Sequence, residues 1–200
     1  MAKPRPIGGI DPTRRLRPNA RRILAVRIDE VYSYDGLVAH PANVTELHDM
    51  RIACKRLRYL LEIFGVAFAT DLDPFTEEVK GLQDILGDIH DCDVQVPMLE
   101  EHLSWLTERE GAAARGLVSD DARGRRSRPG RPSEAAFREF RRQLEGGLRG
   151  GERLGVHALI GRRRRERDAL YLRFLDEWRR LKAERFRARL AEALGIGGHP

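Results

Sequence analysis

Apolar residues that recur every third or fourth position, with no stretch alternating apolar and polar, restrict this chain to helices. Leu47, Met50, Cys54, Leu57, Leu61 and Phe64 form one such stripe, and Phe75, Val79, Leu82, Ile85, Leu86 and Ile89 form another. Tyr171, Phe174, Leu175, Trp178 and Leu181 repeat the spacing near the end and read as core. Aromatic residues make up 6% of the chain and charged ones 34%, which suits helices with broad solvated faces and not a β-sandwich. The fold class that follows is all-α, an antiparallel helical bundle. Its 200 residues suffice for one core or for two small helical halves packed together.

Turn and cap residues divide the chain. Residues 1–18, rich in Pro, Gly and Arg, read as a flexible basic arm. Asn19 is placed to cap a first helix, which ends near Asp35-Gly36. Asn43 with Glu46 has the capping-box spacing and predicts a second helix from Val44 to about Ala69. Asp73-Pro74 opens a third helix with a capping carboxylate and a first-turn proline. Pro97 reads as the start of a fourth helix. The domain therefore spans residues 19–194. Its first half is 19–118, an Arg/Gly/Pro-rich linker covers 119–132, and the second half, 133–194, opens on a short helix capped by Ser133. The Gly146–Gly151 region breaks the pattern before a long last helix, or two in line, from Glu152 to Leu194; residues 195–200 are a tail.

The formal net charge of +6 favours acidic partners. Lysine occurs only at Lys3, Lys55, Lys80 and Lys182, so the basic character is carried by arginine, whose planar fork fits phosphate oxygens in pairs. A GC-rich genome produces the same bias, so position and not count carries the argument. Cys54 and Cys92 are too few for a disulfide scaffold or a zinc site, and both lie in helical patterns as buried thiols. No apolar stretch approaches the roughly 20 residues of a membrane span. The Arg-rich start lacks the apolar core of a secretory signal, which points to the reducing cytoplasm.

Residues 47–59 are the most informative segment. His48, Arg51, Lys55 and Arg58 fall within an arc of roughly 80° on a helix. That stripe borders the apolar face of Leu47, Met50, Cys54 and Leu57 instead of standing opposite it. Like charges three and four apart repel, so such crowding predicts an anionic ligand; a plain solvated face is the alternative.

Here the chain resembles a family. The pattern His48-x-x-Arg51-x-x-x-Lys55-Arg56-x-Arg58-Tyr59 resembles the opening motif of CHAD domains, named for conserved histidines on an α-helical scaffold. Leu82-Gln83-x-x-Leu86-Gly87, followed by Asp91-x-Asp93, is similar to a second segment of that family. The resemblance implies two helical bundles related by approximate repetition, with basic residues lining a groove between them. It also implies a ligand, inorganic polyphosphate, held without catalysis and without a cofactor. Some family members attach to polyphosphate or storage granules. Carried over by motif, His48, Arg51, Lys55 and Arg58 are the anion contacts, Arg56 flanks them, and Lys80 is preferred to His90 in the second segment. Arg163 and Arg167, spaced i and i+4, add an expected anion site on the last helix, whereas the neighbouring Arg run points around the whole helix. No clean second His-x-x-Arg helix is present and the chain is short for the family, so the second bundle is expected to be shortened. No Glu-x-Glu-x-Lys element of a triphosphate-tunnel enzyme occurs, which implies a stand-alone module.

Two other functions fit parts of this pattern. Nonspecific nucleic-acid binding suits the net charge and the basic arm, but sparse aromatics leave little stacking surface. A metal-dependent phosphohydrolase of the HD type would use His48-Asp49 and His90-Asp91. Neighbouring helical residues point about 100° apart, and the cations around the first pair repel a metal ion.

Overall fold

The computed structural model describes residues 3–123 and 150–196, with side chains over 3–108 and 153–196. It is all-α, with no strand among the described residues. The helices are α1 (Leu16–Tyr32), α2 (Val44–Phe64), α3 (Asp73–Arg123), α4 (Gly150–Ala183) and α5 (Phe186–Leu194), with a 3-10 turn over Gly65–Ala67 after α2. No described helix is long and apolar enough to cross a membrane. The chain divides into two compact units, one formed by residues up to 93 and from 166 onward, the other by residues 94–165.

The first unit holds the main core, and every helical stripe read from the sequence feeds it. Leu24 and Ile28 of α1, Leu47, Met50, Leu57 and Leu61 of α2, and Leu82, Leu86 and Ile89 of α3 are all at most 3% exposed. Phe174, Trp178 and Leu181 of α4 join them, with Leu190 and Leu194 of α5. Cys54 lies wholly inside this packing, where burial pushes its thiol up to about 12 and keeps it neutral. Two aromatics of α4 find partners at the α1–α2 connection: the Tyr171 hydroxyl donates to the Val38 carbonyl (3.0 Å) and the Trp178 indole to Asp35 (2.7 Å).

One buried charge cluster interrupts the apolar packing. Glu30 of α1, 2% exposed, is held by Arg27 one turn earlier and by Arg56 of α2, whose Nη1 donates to its Oε1 at 2.7 Å. Both carboxylate oxygens thus have a guanidinium partner, which is what permits a full charge at that depth.

Several end signals act differently from their sequence reading. Helix α1 begins at Leu16, so Asn19 lies inside its first turn; its amide exchanges two hydrogen bonds with the Asp11 backbone (2.7 and 3.2 Å). Asn43 makes no cap bond to α2 and donates instead to the Leu37 carbonyl, closing the loop before the helix. The carboxylate that receives an N–H at the start of α3 is that of Asp71, which accepts from Asp73. Helix α2 stops at Phe64, short of Ala69, and passes into the 3-10 turn.

Pro97 starts no helix: α3 runs through it to Arg123. The proline is exposed and removes only the one bond that would have gone to the Asp93 carbonyl. The linker expected from residue 119 therefore begins within a helix, and the rest of it, with the Ser133 helix, lies outside the described residues. Gly150 and Gly151 are helical, and the terminal stretch divides at Arg185, whose φ of 55° turns the chain between α4 and α5. Helix α5 ends at Gly195 (φ 62°), where Gly195 and Ile196 donate to the Glu192 and Ala191 carbonyls and Ile196 packs on the core. Gly195 is needed twice there, because a Cβ would also meet the Arg21 guanidinium that donates to the Leu194 carbonyl.

Candidate anion-binding site

Burial of Leu47, Met50, Ala53, Cys54, Leu57 and Leu61 sets the rotation of α2 and leaves its basic residues along the edge of the packed face. Arg51 and Lys55 come out on one side of an open groove of about 390 Å³, together with the exposed Tyr59. The opposite side is α3, which contributes Gln83, Asp84, Gly87, Asp88 and Asp91. All eight residues belong to the first compact unit.

The cations of this stripe are weakly committed. No ion pair or hydrogen bond holds Arg51 among the described residues, and its Nε is buried without a partner. Gln83 Oε1, also on the groove, is likewise buried and unpaired. The Lys55 ammonium and the Arg58 guanidinium both lie over the Tyr59 ring, at 5.8 and 4.7 Å from its centre. Arg58 stands beside the exposed Glu62 at 3.4 Å, close enough for attraction, yet its Nε makes no hydrogen bond.

His48 meets His90 of α3, their Nδ1 atoms 3.1 Å apart and their rings 4.3 Å between centres. Such a pair holds one proton between two nitrogens, so one ring donates and the other accepts. Burial first, then His90 and Arg51, hold His48 below the ordinary imidazole value of 6.5, with Asp49 acting in the other direction. An unfolded chain, free of that burial, takes up this proton first as pH falls. Stability from a neutral His48 is therefore present above about pH 6.5 and is lost below it. The urea midpoint is expected to drop between about pH 7.5 and about pH 5.5, and His48→Gln to flatten that drop.

The remaining residues singled out from the sequence are not part of this groove. Arg56 is turned to the buried Glu30. Lys80 pairs with Glu77 one turn earlier, at 3.1 Å. Arg167 binds Asp93 (2.9 Å) and also donates to the Pro41 carbonyl. Arg163 and Arg167 both lie on α4 and line no part of this groove. His90, ranked behind Lys80 by motif, is the residue that reaches His48. The groove differs from an all-basic one as well: Asp84, Asp88 and Asp91 repeat on α3 the i, i+4, i+7 spacing of Arg51, Lys55 and Arg58 on α2. That spacing was the signal available in the sequence for the second wall.

A helical module with a polar groove between two of its helices, one wall carrying unpaired cations, is the class of protein that these features define. Residues 6–100 match the family model described as CHAD domain. That stretch is CHAD-like, and it takes in α1, α2 and the part of α3 that builds the groove. No curated protein and no solved structure matches the chain.

Proposed function

We propose that the protein binds inorganic polyphosphate along the edge of α2, through Arg51, Lys55, Arg58 and His48, as a binding module that performs no reaction on it. The observation that carries this reading is the unpaired state of Arg51 in an open groove. A buried donor without a partner costs about 1–3 kcal/mol, and a phosphate oxygen removes that cost.

Polyphosphate has neither bases nor sugars, so only charge, donor geometry and spacing can recognise it. Basic residues at i, i+4 and i+7 recur about every 5 Å along a helix, close to the spacing of alternate phosphates. Two of the cations, Lys55 and Arg58, lean on the Tyr59 ring, which positions them along the stripe without neutralising them. The buried free thiols Cys54 and Cys92 suit a reducing compartment, and the cytoplasm is the proposed location.

The test is a titration with long-chain polyphosphate and with duplex and single-stranded DNA of matched charge, at about 0.15 M salt to screen exposed charges. Polyphosphate is expected to bind at least roughly tenfold more tightly than either DNA. Equal affinities, or a preference for DNA, would make the protein a nonspecific nucleic-acid binder and contradict the proposal.

A further inference from the structure

The acidic wall of the groove is unexplained by polyphosphate binding alone. Arg51 and Lys55 on α2 face Asp84, Asp88 and Asp91 on α3, so the groove as lined carries two positive and three negative groups. Opposite charges so near normally collapse into ion pairs, as Arg56–Glu30 and Arg167–Asp93 do in the same unit. None joins these two rows among the described residues. They line an open groove, and the space at Gly87 on its wall is empty, for a Cβ there would meet nothing within 4 Å.

A bare polyphosphate chain laid on Arg51 and Lys55 would turn its outer oxygens toward three carboxylates and be repelled by them. A divalent cation reverses the sign of that contact. Magnesium in particular keeps most of its waters and binds through one or two carboxylates together with phosphate oxygens, and it does not need a cage of protein ligands. The described residues contain no cluster of three His, Cys, Asp or Glu side chains able to hold a metal by themselves. The ion must therefore arrive with, or on top of, the anion.

We infer that this groove takes polyphosphate as its divalent-cation salt, with Arg51 and Lys55 on the phosphate oxygens and Asp84, Asp88 and Asp91 on the hydrated cation. This rests on the polyphosphate reading above and adds to it the form in which the ligand is held. The α3 carboxylates become specificity-determining residues: they weaken binding of a polyanion that comes without its counter-ion.

The experiment titrates the full chain with long-chain polyphosphate in EDTA and in millimolar magnesium chloride at constant ionic strength. It is repeated with a variant carrying Asp84→Asn, Asp88→Asn and Asp91→Asn. The three aspartates are exposed and form no bond that the fold depends on; thermal melting of the variant checks that it folds, and Asp88→Asn alone stands in if it does not. Wild type is expected to gain roughly tenfold in affinity on adding magnesium. The triple variant should bind more tightly than wild type in EDTA, and magnesium should then weaken it by ordinary screening. Magnesium titrated without polyphosphate should show no uptake. Wild-type binding that magnesium leaves unchanged or weakens would overturn the inference while leaving the polyphosphate reading in place, as would an equal magnesium gain in the variant. Absence of polyphosphate binding in every arm would overturn both. Gly87→Leu, which puts a side chain into the groove, should abolish the magnesium-dependent gain; retention of the full gain would place the effect elsewhere and reject the site.

Discussion

Replacing Glu30 by alanine is expected to lower the unfolding free energy by about 3–5 kcal/mol, the usual cost of removing one partner from a buried charge cluster. Arg27 is 7% exposed and pairs with no carboxylate other than Glu30 among the described residues, so its guanidinium would be left charged in the core. Arg56 loses the same partner but reaches solvent with a quarter of its side chain. Arg56→Ala should therefore cost clearly less than Glu30→Ala, because it leaves Glu30 with Arg27. Urea unfolding followed by circular dichroism reads both. A Glu30→Ala effect below about 1 kcal/mol would mean that the cluster does not hold α1 to α2 as described. Were Arg56 instead a ligand contact with no structural duty, its substitution would leave the urea midpoint unchanged and reduce only polyphosphate binding.

The second large effect is on binding. A variant with Arg51→Ala, Lys55→Ala and Arg58→Ala should lose polyphosphate affinity by roughly 100- to 1,000-fold. Each charge-assisted hydrogen bond contributes about 1.5–3 kcal/mol when made, less where solvent screens it. The fold should tolerate the change, since the aliphatic stems border the core and do not fill it, and the repulsion within the stripe disappears. Lys80→Ala and Arg167→Ala provide contrast. Lys80 sits beside Glu77 and Arg167 is engaged by Asp93 and Pro41, so neither should move the affinity by more than about threefold. Affinity in the triple variant within threefold of wild type would show that the stripe is only a solvated helix face.

How far the sequence discloses this molecule depends on the range of each interaction. The stripe Leu47, Met50, Cys54, Leu57 and Leu61 was legible because helix period and burial are local consequences of the same spacing, and all five residues are buried. The basic edge beside it was legible for the same reason. The partners across helices were not. Nothing in local spacing says that His48 faces His90, 42 positions later, or that Arg56 and not Arg51 meets Glu30. Spacing tells which residues share a face, and packing decides which faces meet. Caps failed for a related reason. Asn19 and Asn43 carry short amides that bond any nearby backbone group, and each found a loop carbonyl before a helix end. Pro97 misled because proline is a strong local stop, yet an exposed one that removes a single backbone bond leaves the helix continuous.

The family resemblance and the groove are independent supports for one claim, that α2 is where the anion lies. Amide chemical-shift mapping of the isotope-labelled protein during a polyphosphate titration tests that claim most directly. Perturbations should concentrate on residues 47–59 of α2 and 83–91 of α3, with the His48 ring signals moving as a nearby phosphate favours its charged form. Shifts confined to the Arg-rich start of the chain or to the arginine run at 162–165, with α2 unmoved, would contradict the account.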